Sequence, residues 1–139
     1  MSSQDDIVQS ALEFDERLRA VAKIEGRYSV EAYRFVFEGL QYTLSKLPET
    51  RHITAYELLE GIREHAKEKF GFLARTVFRN WRVLGTDDFG EIVFSLVNYG
   101  LMGKTDDDRR EDFENVYDFK KVFDEEYLAE LSQHVKLST

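Results

Sequence analysis

The sequence predicts a mainly α-helical fold: a single helical domain with a winged-helix-like three-helix unit and a small β-hairpin. Three observations carry this. Apolar residues recur at three- and four-residue steps along most of the chain, the period of an amphipathic helix. Gly26, Gly71, Gly85, Gly100 and Gly103 fall between those periodic stretches, where helices stop or chains turn. With 139 residues, of which 42% are hydrophobic and 14% aromatic, the chain has material for one compact core.

Each element follows from local pattern. A first helix is expected from Asp5 to Ala22, with Ile7, Val8, Ala11, Leu12, Leu18 and Val21 on one stripe. A second starts after Ser29, a cap residue, and carries Val36, Phe37, Leu40 and Leu44 inward until Pro48 disfavours helical geometry before it. Thr54 to Glu57 reads T-A-Y-E, a capping box, with Ile53 and Leu58 as its hydrophobic staple. That helix carries Leu58, Leu59, Ile62, Ala66 and Phe70 inward and ends at Gly71. Phe72 to Leu84 supplies a short helix with Leu73, Val77, Phe78 and Trp81 on its apolar side. Gly85 and Thr86 then end it and cap the next, whose core residues are Phe89, Ile92, Val93, Leu96 and Val97.

Beyond Gly100 a short strand is expected at Leu101 to Lys104, then an acidic loop and a returning strand at Asn115 to Phe119. A last helix runs from Asp124 to about His134 and docks through Tyr127, Leu128 and Leu131. The organisation is therefore a helical pair (1–50), a winged-helix-like unit (51–123) and a C-terminal helix and tail (124–139).

Charge is unevenly spread. The net charge is -8, yet residues 51–84 carry seven basic and four acidic side chains, while 85–139 carry six and fourteen. A basic middle beside an acidic tail suits either internal pairing or an anionic partner. There is no cysteine, which removes disulfides, thiolate zinc sites and Cys nucleophiles. The start, MSSQDDIVQ, lacks a basic and apolar leader, and no apolar run approaches the ~20 residues of a membrane helix. A cytoplasmic protein with no membrane contact is the expectation.

A winged helix would place the third helix in the major groove. Here that helix bears Asp87, Asp88 and Glu91 and no Lys or Arg, so duplex DNA through the third helix is disfavoured. The acids have a structural reason instead, at a helix start where the dipole favours negative charge. The candidate anion- or partner-binding residues lie one helix earlier: Arg75, Arg79 and Arg82 at i, i+4 and i+7, with Arg63, Lys67 and Lys69 on the neighbouring helix. The alternative is a solvated face partly paired with the acidic 106–114 loop of the same chain.

Other chemistry is weaker. Asp106, Asp108 and Asp112 alternate like calcium ligands, but Arg110 stands where a ligand belongs and no glycine follows. Glu49 to His52 is a lone Glu-x-x-His, whereas a di-iron bundle needs two. No hydrolase, Walker or dinucleotide motif is present, and no catalytic residue, metal or cofactor is expected.

The segments RYSVEAYRFVFEGLQYTLSKL, RHITAYELLEGIREHAKEKFG and TDDFGEIVFSLVNYGLMGKTDDDRREDF, with VYDF after them, resemble a family of short conserved hypothetical proteins from planctomycete and verrucomicrobial bacteria. The resemblance covers about Arg27 to Phe123. It implies a small stand-alone bacterial protein and carries across no catalytic or binding residue. The expected function is a non-catalytic protein-interaction or adaptor domain, with a protein partner and room for a homodimer. The alternatives are a nucleic-acid-binding transcriptional regulator using the basic helix face, and a small enzyme without recognisable motif.

Overall fold

The computed structural model describes residues 3–103 and 109–138. It is mainly helical: α1 (Ser3–Glu25), α2 (Val30–Ser45), α3 (Ala55–Phe70), α4 (Ala74–Asn80), α5 (Thr86–Asn98) and α6 (Tyr127–Ser138). Short 3-10 turns lie at Gly71–Leu73 and Arg110–Phe113, and a π-helical stretch at Lys120–Glu126 leads into α6.

The centre is built by close approach of α2, α3 and α5. Three glycines inside helices make this approach possible. A Cβ on Gly39 would lie 2.6 Å from Ile62 of α3, and one on Gly61 would lie 1.8 Å from Thr43 Oγ1 of α2, so each helix offers a notch to the other. Gly90 of α5 gives the same room to Phe113, whose Cβ would be 2.6 Å away. Around this weld the aromatics cluster on Phe78 of α4, with the rings of Phe35, Trp81, Phe89, Phe119 and Phe123 centred 5.3–5.6 Å from it. Aromatic pairs at these separations add about 0.5–1.5 kcal/mol each beyond simple burial.

Local chemistry sets one of three expected helix starts and fails at the other two. Thr54 Oγ1 accepts from Glu57 N at 3.1 Å and Glu57 Oε1 accepts from Thr54 N at 3.0 Å, so the capping box forms as expected. Ser29 sits at the cap position of α2, but its hydroxyl makes no cap bond and is buried without a hydrogen-bond partner among the described residues. Thr86 is not a cap either. It is the first residue of α5, buried, and its hydroxyl donates to Phe113 O at 2.6 Å while accepting from Val116 N at 3.1 Å.

Those bonds explain the main correction to the expected fold. No strand occurs among the described residues, and the small β-hairpin at Leu101–Lys104 and Asn115–Phe119 is not supported. The amides that a ladder would need are already used. Leu101 N closes the end of α5 on Leu96 O at 2.8 Å, and Asn115 N and Val116 N donate to Asp87 and Thr86 side chains. The returning segment is pinned to α3 by the half-buried Tyr117, whose hydroxyl donates to Leu59 O at 2.7 Å. Lys104 and Asp106 to Asp108 of the expected hairpin and calcium-like loop lie outside the described residues.

Two helices are docked less than their apolar stripes suggest. In α1, Phe14, Leu18 and Val21 pack on the body, with Phe14 against Phe37 at 4.6 Å, but residues 3–13 are all exposed. Ile7, Val8 and Leu12, expected in the core, are 53–68% exposed. Helix α6 is held by Tyr127, whose hydroxyl lies over Gly71, while Leu128 and Leu131 face outward rather than docking it.

Candidate functional site

Of the six basic residues named in the sequence, Lys69 pairs with Glu38 at 2.7 Å, and the other five divide into two groups. Arg63, Lys67 and Arg75 are each satisfied by acids just before or within α6. Arg63 donates to Glu126 at 2.6 Å and stacks over the Tyr117 ring at 5.8 Å, Lys67 donates to Glu130 at 3.0 Å, and Arg75 donates to Asp124. Three cations of the basic middle are thus paired within the chain by residues 124–130; of the 106–114 loop expected to pair with this face, residues 106–108 lie outside the described residues. In that loop Arg110 pairs with Glu91 at 3.2 Å, and Asp112 accepts from Arg109 N at 3.1 Å.

Arg79 and Arg82 stand apart. Both are exposed, and neither side chain makes an ion pair or hydrogen bond among the described residues. The i, i+4, i+7 face expected for Arg75, Arg79 and Arg82 is broken, because α4 stops at Asn80 and Arg82 lies past its end at φ +68°. The stop is a Schellman motif: Arg82 N donates to Arg79 O at 3.0 Å and Val83 N to Phe78 O at 2.8 Å. Val83 is buried against the helix it closes. Arg82 therefore occupies the one position of this motif that glycine ordinarily fills. The left-handed conformation costs an L-residue about 1–2 kcal/mol.

The surroundings of these two arginines are apolar and free of acids. Residues 69–86 contain Lys69, Arg75, Arg79 and Arg82 and no Asp or Glu. Phe72 and Leu73 are 52% and 60% exposed at the start of α4, on the side that also carries Thr76 and Arg79, and Leu84 is 72% exposed beyond its end. Leu73 was expected in the core. The acid-free run is the sequence signal that could have marked this face. The exposed leucines have no such signal, because periodicity alone does not reveal which side of a short helix is covered.

The acids of the expected recognition helix are all engaged. Asp88 Oδ2 accepts from Leu84 N at 2.8 Å and Gly85 N at 3.2 Å, and its Oδ1 accepts from Tyr28 OH at 2.5 Å. Burial, aided by that carboxylate, pushes the Tyr28 hydroxyl well above its ordinary range. Asp87 accepts from Asn115 N at 3.0 Å, and Glu91 holds Arg110. The start of α5 is an internal junction.

Two further places bring polar side chains together. A cleft of about 170 Å³ opens between the C-terminal half of α2, the start of α3 and α5; its walls are mainly Leu40, Leu44, Ile53, Val93 and Met102. His52 and Arg51 stand at its polar edge, but Arg51 is held in a two-bond pair by Glu57 at 3.1 and 2.8 Å, and no carboxylate among the described residues lines the cleft. Between α2 and α3, Glu38 accepts from Lys69 at 2.7 Å and lies 3.3 Å from His65 Nε2; the His65 ring stacks on Phe35 at 5.3 Å. Burial raises the Glu38 carboxyl, yet the bonds from Lys69 and His65 outweigh it and hold it below its ordinary value. Tyr42 beside them is pushed up to about 12 by burial and by the carboxylate of Glu68. Glu38 and Lys69 satisfy each other, which is the pattern of a structural link between helices, while Tyr42 and Glu68 line an open polar depression with Glu60, Arg63, Lys67 and Glu130. Among the described residues, no three His, Asp or Glu side chains converge as metal ligands do, and no helix is long and apolar enough to cross a membrane.

No protein-family model, curated protein or solved structure matches this chain.

Proposed function

We propose that the chain is a non-catalytic, cytoplasmic protein-interaction domain whose recognition face is α4 with its flanks: Phe72, Leu73, Arg79, Arg82 and Leu84. The observation that carries this reading is Arg82. An exposed arginine, unpaired among the described residues, stands at a left-handed position where glycine would relieve strain, and strained positions of this kind cluster where a side chain is used. Neighbouring cations of the same stretch are neutralised by α6 and its approach, so the two left open are set apart from a general basic surface. Arginine beside exposed large apolar side chains is the composition of an interface centre.

The complementary partner is an acidic amphipathic segment, whose carboxylates meet Arg79 and Arg82 while its apolar stripe covers Phe72, Leu73 and Leu84. In chain order α3, α4 and α5 follow the outline of a winged helix; with the start of α5 used internally, recognition moves to α4. A selection of displayed helical peptides against the full-length protein tests this directly. The expected winners are acidic with apolar residues at helical spacing, and they lose binding to the R79E/R82E variant. Winners indifferent to that variant, or none, would rule the reading out. Tight, salt-dependent binding of a labelled DNA duplex that is lost in R79E/R82E would replace it with the nucleic-acid regulator.

A further inference from the structure

The chain carries, on its own surface, a segment with the chemistry that the α4 face calls for. Residues 3–16 hold five acids and no base. Of these, Asp15 is used within the chain, by Arg34 at 2.6 Å and Arg19 at 3.0 Å. Asp6, Glu13 and Glu16 project from exposed turns of α1. The same turns present Ile7, Val8 and Leu12, and the residues at Ile7, Ala11, Phe14, Leu18 and Val21 follow one another at four- and three-residue steps. The last three of that seam are packed on the body, whereas the first two run on past it uncovered. A seam of this kind is completed by another surface.

We infer that the occupant is a second copy of this chain, with the α1 arm of each protomer laid on the α4 face of the other; the inference rests on the α4 reading above. The match is electrostatic as well as apolar. Asp6, Glu13 and Glu16, exposed on the arm, meet Arg79 and Arg82, exposed on a stretch, residues 69–86, that holds no acid. Ile7, Val8 and Leu12 on the arm answer Phe72, Leu73 and Leu84 on the face, all more than half exposed in the single chain. Exchange around a two-fold axis uses each contact twice and leaves neither arm nor face unfilled, as closed symmetry requires. The eleven exposed residues of the arm extend over roughly 16 Å of helix, enough to cross the ~10 Å of α4.

Charge reversal provides the test. Analytical ultracentrifugation of the full chain over a concentration series should give a dimer in low salt that weakens as salt rises. D6K/E13K/E16K and R79E/R82E should each raise the dissociation constant by about tenfold or more. Mixing these two variants should restore a dimer, because a basic arm then meets an acidic face and the acidic arm meets the basic face. All five positions are exposed, and circular dichroism of each variant checks that the helices are intact; I7S/L12S weakens the dimer through the apolar half of the contact without altering charge. A wild-type chain that stays monomeric throughout, or a dimer indifferent to both reversals, or reversed variants that fail to rescue each other, would overturn the inference. A monomer that still selects acidic peptides through Arg79 and Arg82 overturns the self-pairing alone; one that selects none overturns the α4 reading with it.

Discussion

Helices α4 and α5 end in the same motif with opposite choices at its critical residue. Both close on a buried apolar anchor, Val83 in one and Leu101 in the other, whose amide reaches back five residues at 2.8 Å. Both put the residue before the anchor in the left-handed region, at φ +68° and +73°. At the end of α5 that residue is Gly100, which takes the conformation without steric cost. At the end of α4 it is Arg82. Since the two frames are alike, the difference isolates what the arginine side chain is for, and the backbone gives no reason to keep it.

The largest test of this comparison strikes what the two ends share. Leu101→Ala and Val83→Ala remove the buried anchors and should each destabilise by about 2–3 kcal/mol in urea unfolding, the Leu change by more. Equal loss at both ends would show that the anchors do the same work; a neutral Val83→Ala would break the parallel. Next comes the exchange at the turn itself. Gly100→Ala should cost about 0.5–1 kcal/mol, the left-handed strain less the entropy removed from the unfolded chain. Arg82→Gly should stabilise by a similar amount, since it relieves the same strain at the same entropic cost, yet should abolish selection of acidic peptides by the α4 face. A variant both more stable and less able to bind is the signature of a position kept for use.

The smallest effect lies at a helix start and serves as the control. Hydrogen bonds from Arg51 and from the Thr54 backbone hold the Glu57 carboxyl down to about 2, against an ordinary 4.5. A lowered carboxyl pKa contributes stability that is fully present above the unfolded value and fades as pH falls. The wild-type chain should therefore lose stability between pH 4.5 and 2 with a component that Glu57→Gln removes. Arg82→Gly, which touches no carboxylate, should leave that slope unchanged.

What the sequence made legible was local. The capping box at Thr54 and Glu57 and the stops at Gly26, Gly71 and Gly100 need only neighbouring residues, and each stands where expected. The end of α4 was hidden, because an arginine at φ +68° carries no stop signal and Gly85 three residues later looked like the terminator. The hairpin failed for a non-local reason: the amides of Asn115 and Val116 are claimed by Asp87 and Thr86, 28 and 30 residues earlier. The stripe on α1 was read correctly as amphipathic, but a stripe does not say whether its own chain covers it. Likewise the basic cluster was visible in composition, while its division into paired Arg63, Lys67 and Arg75 and open Arg79 and Arg82 depended on acids more than forty residues away.

The way α6 is fastened has a consequence for motion. Past Tyr127, which sits over Gly71, its hold on the body runs through Lys67 to Glu130, with Arg63 to Glu126 and Arg75 to Asp124 just before the helix, while Leu128 and Leu131 bury little. A segment held by partly exposed ion pairs opens in a local fluctuation well below the free energy of global unfolding, and added salt makes the opening more frequent. Hydrogen exchange of the α6 amides should accelerate with ionic strength while that of α3 does not. Each opening also unmasks Lys67, so the positive field along α3 is not fixed but breathes with the docking of the last helix.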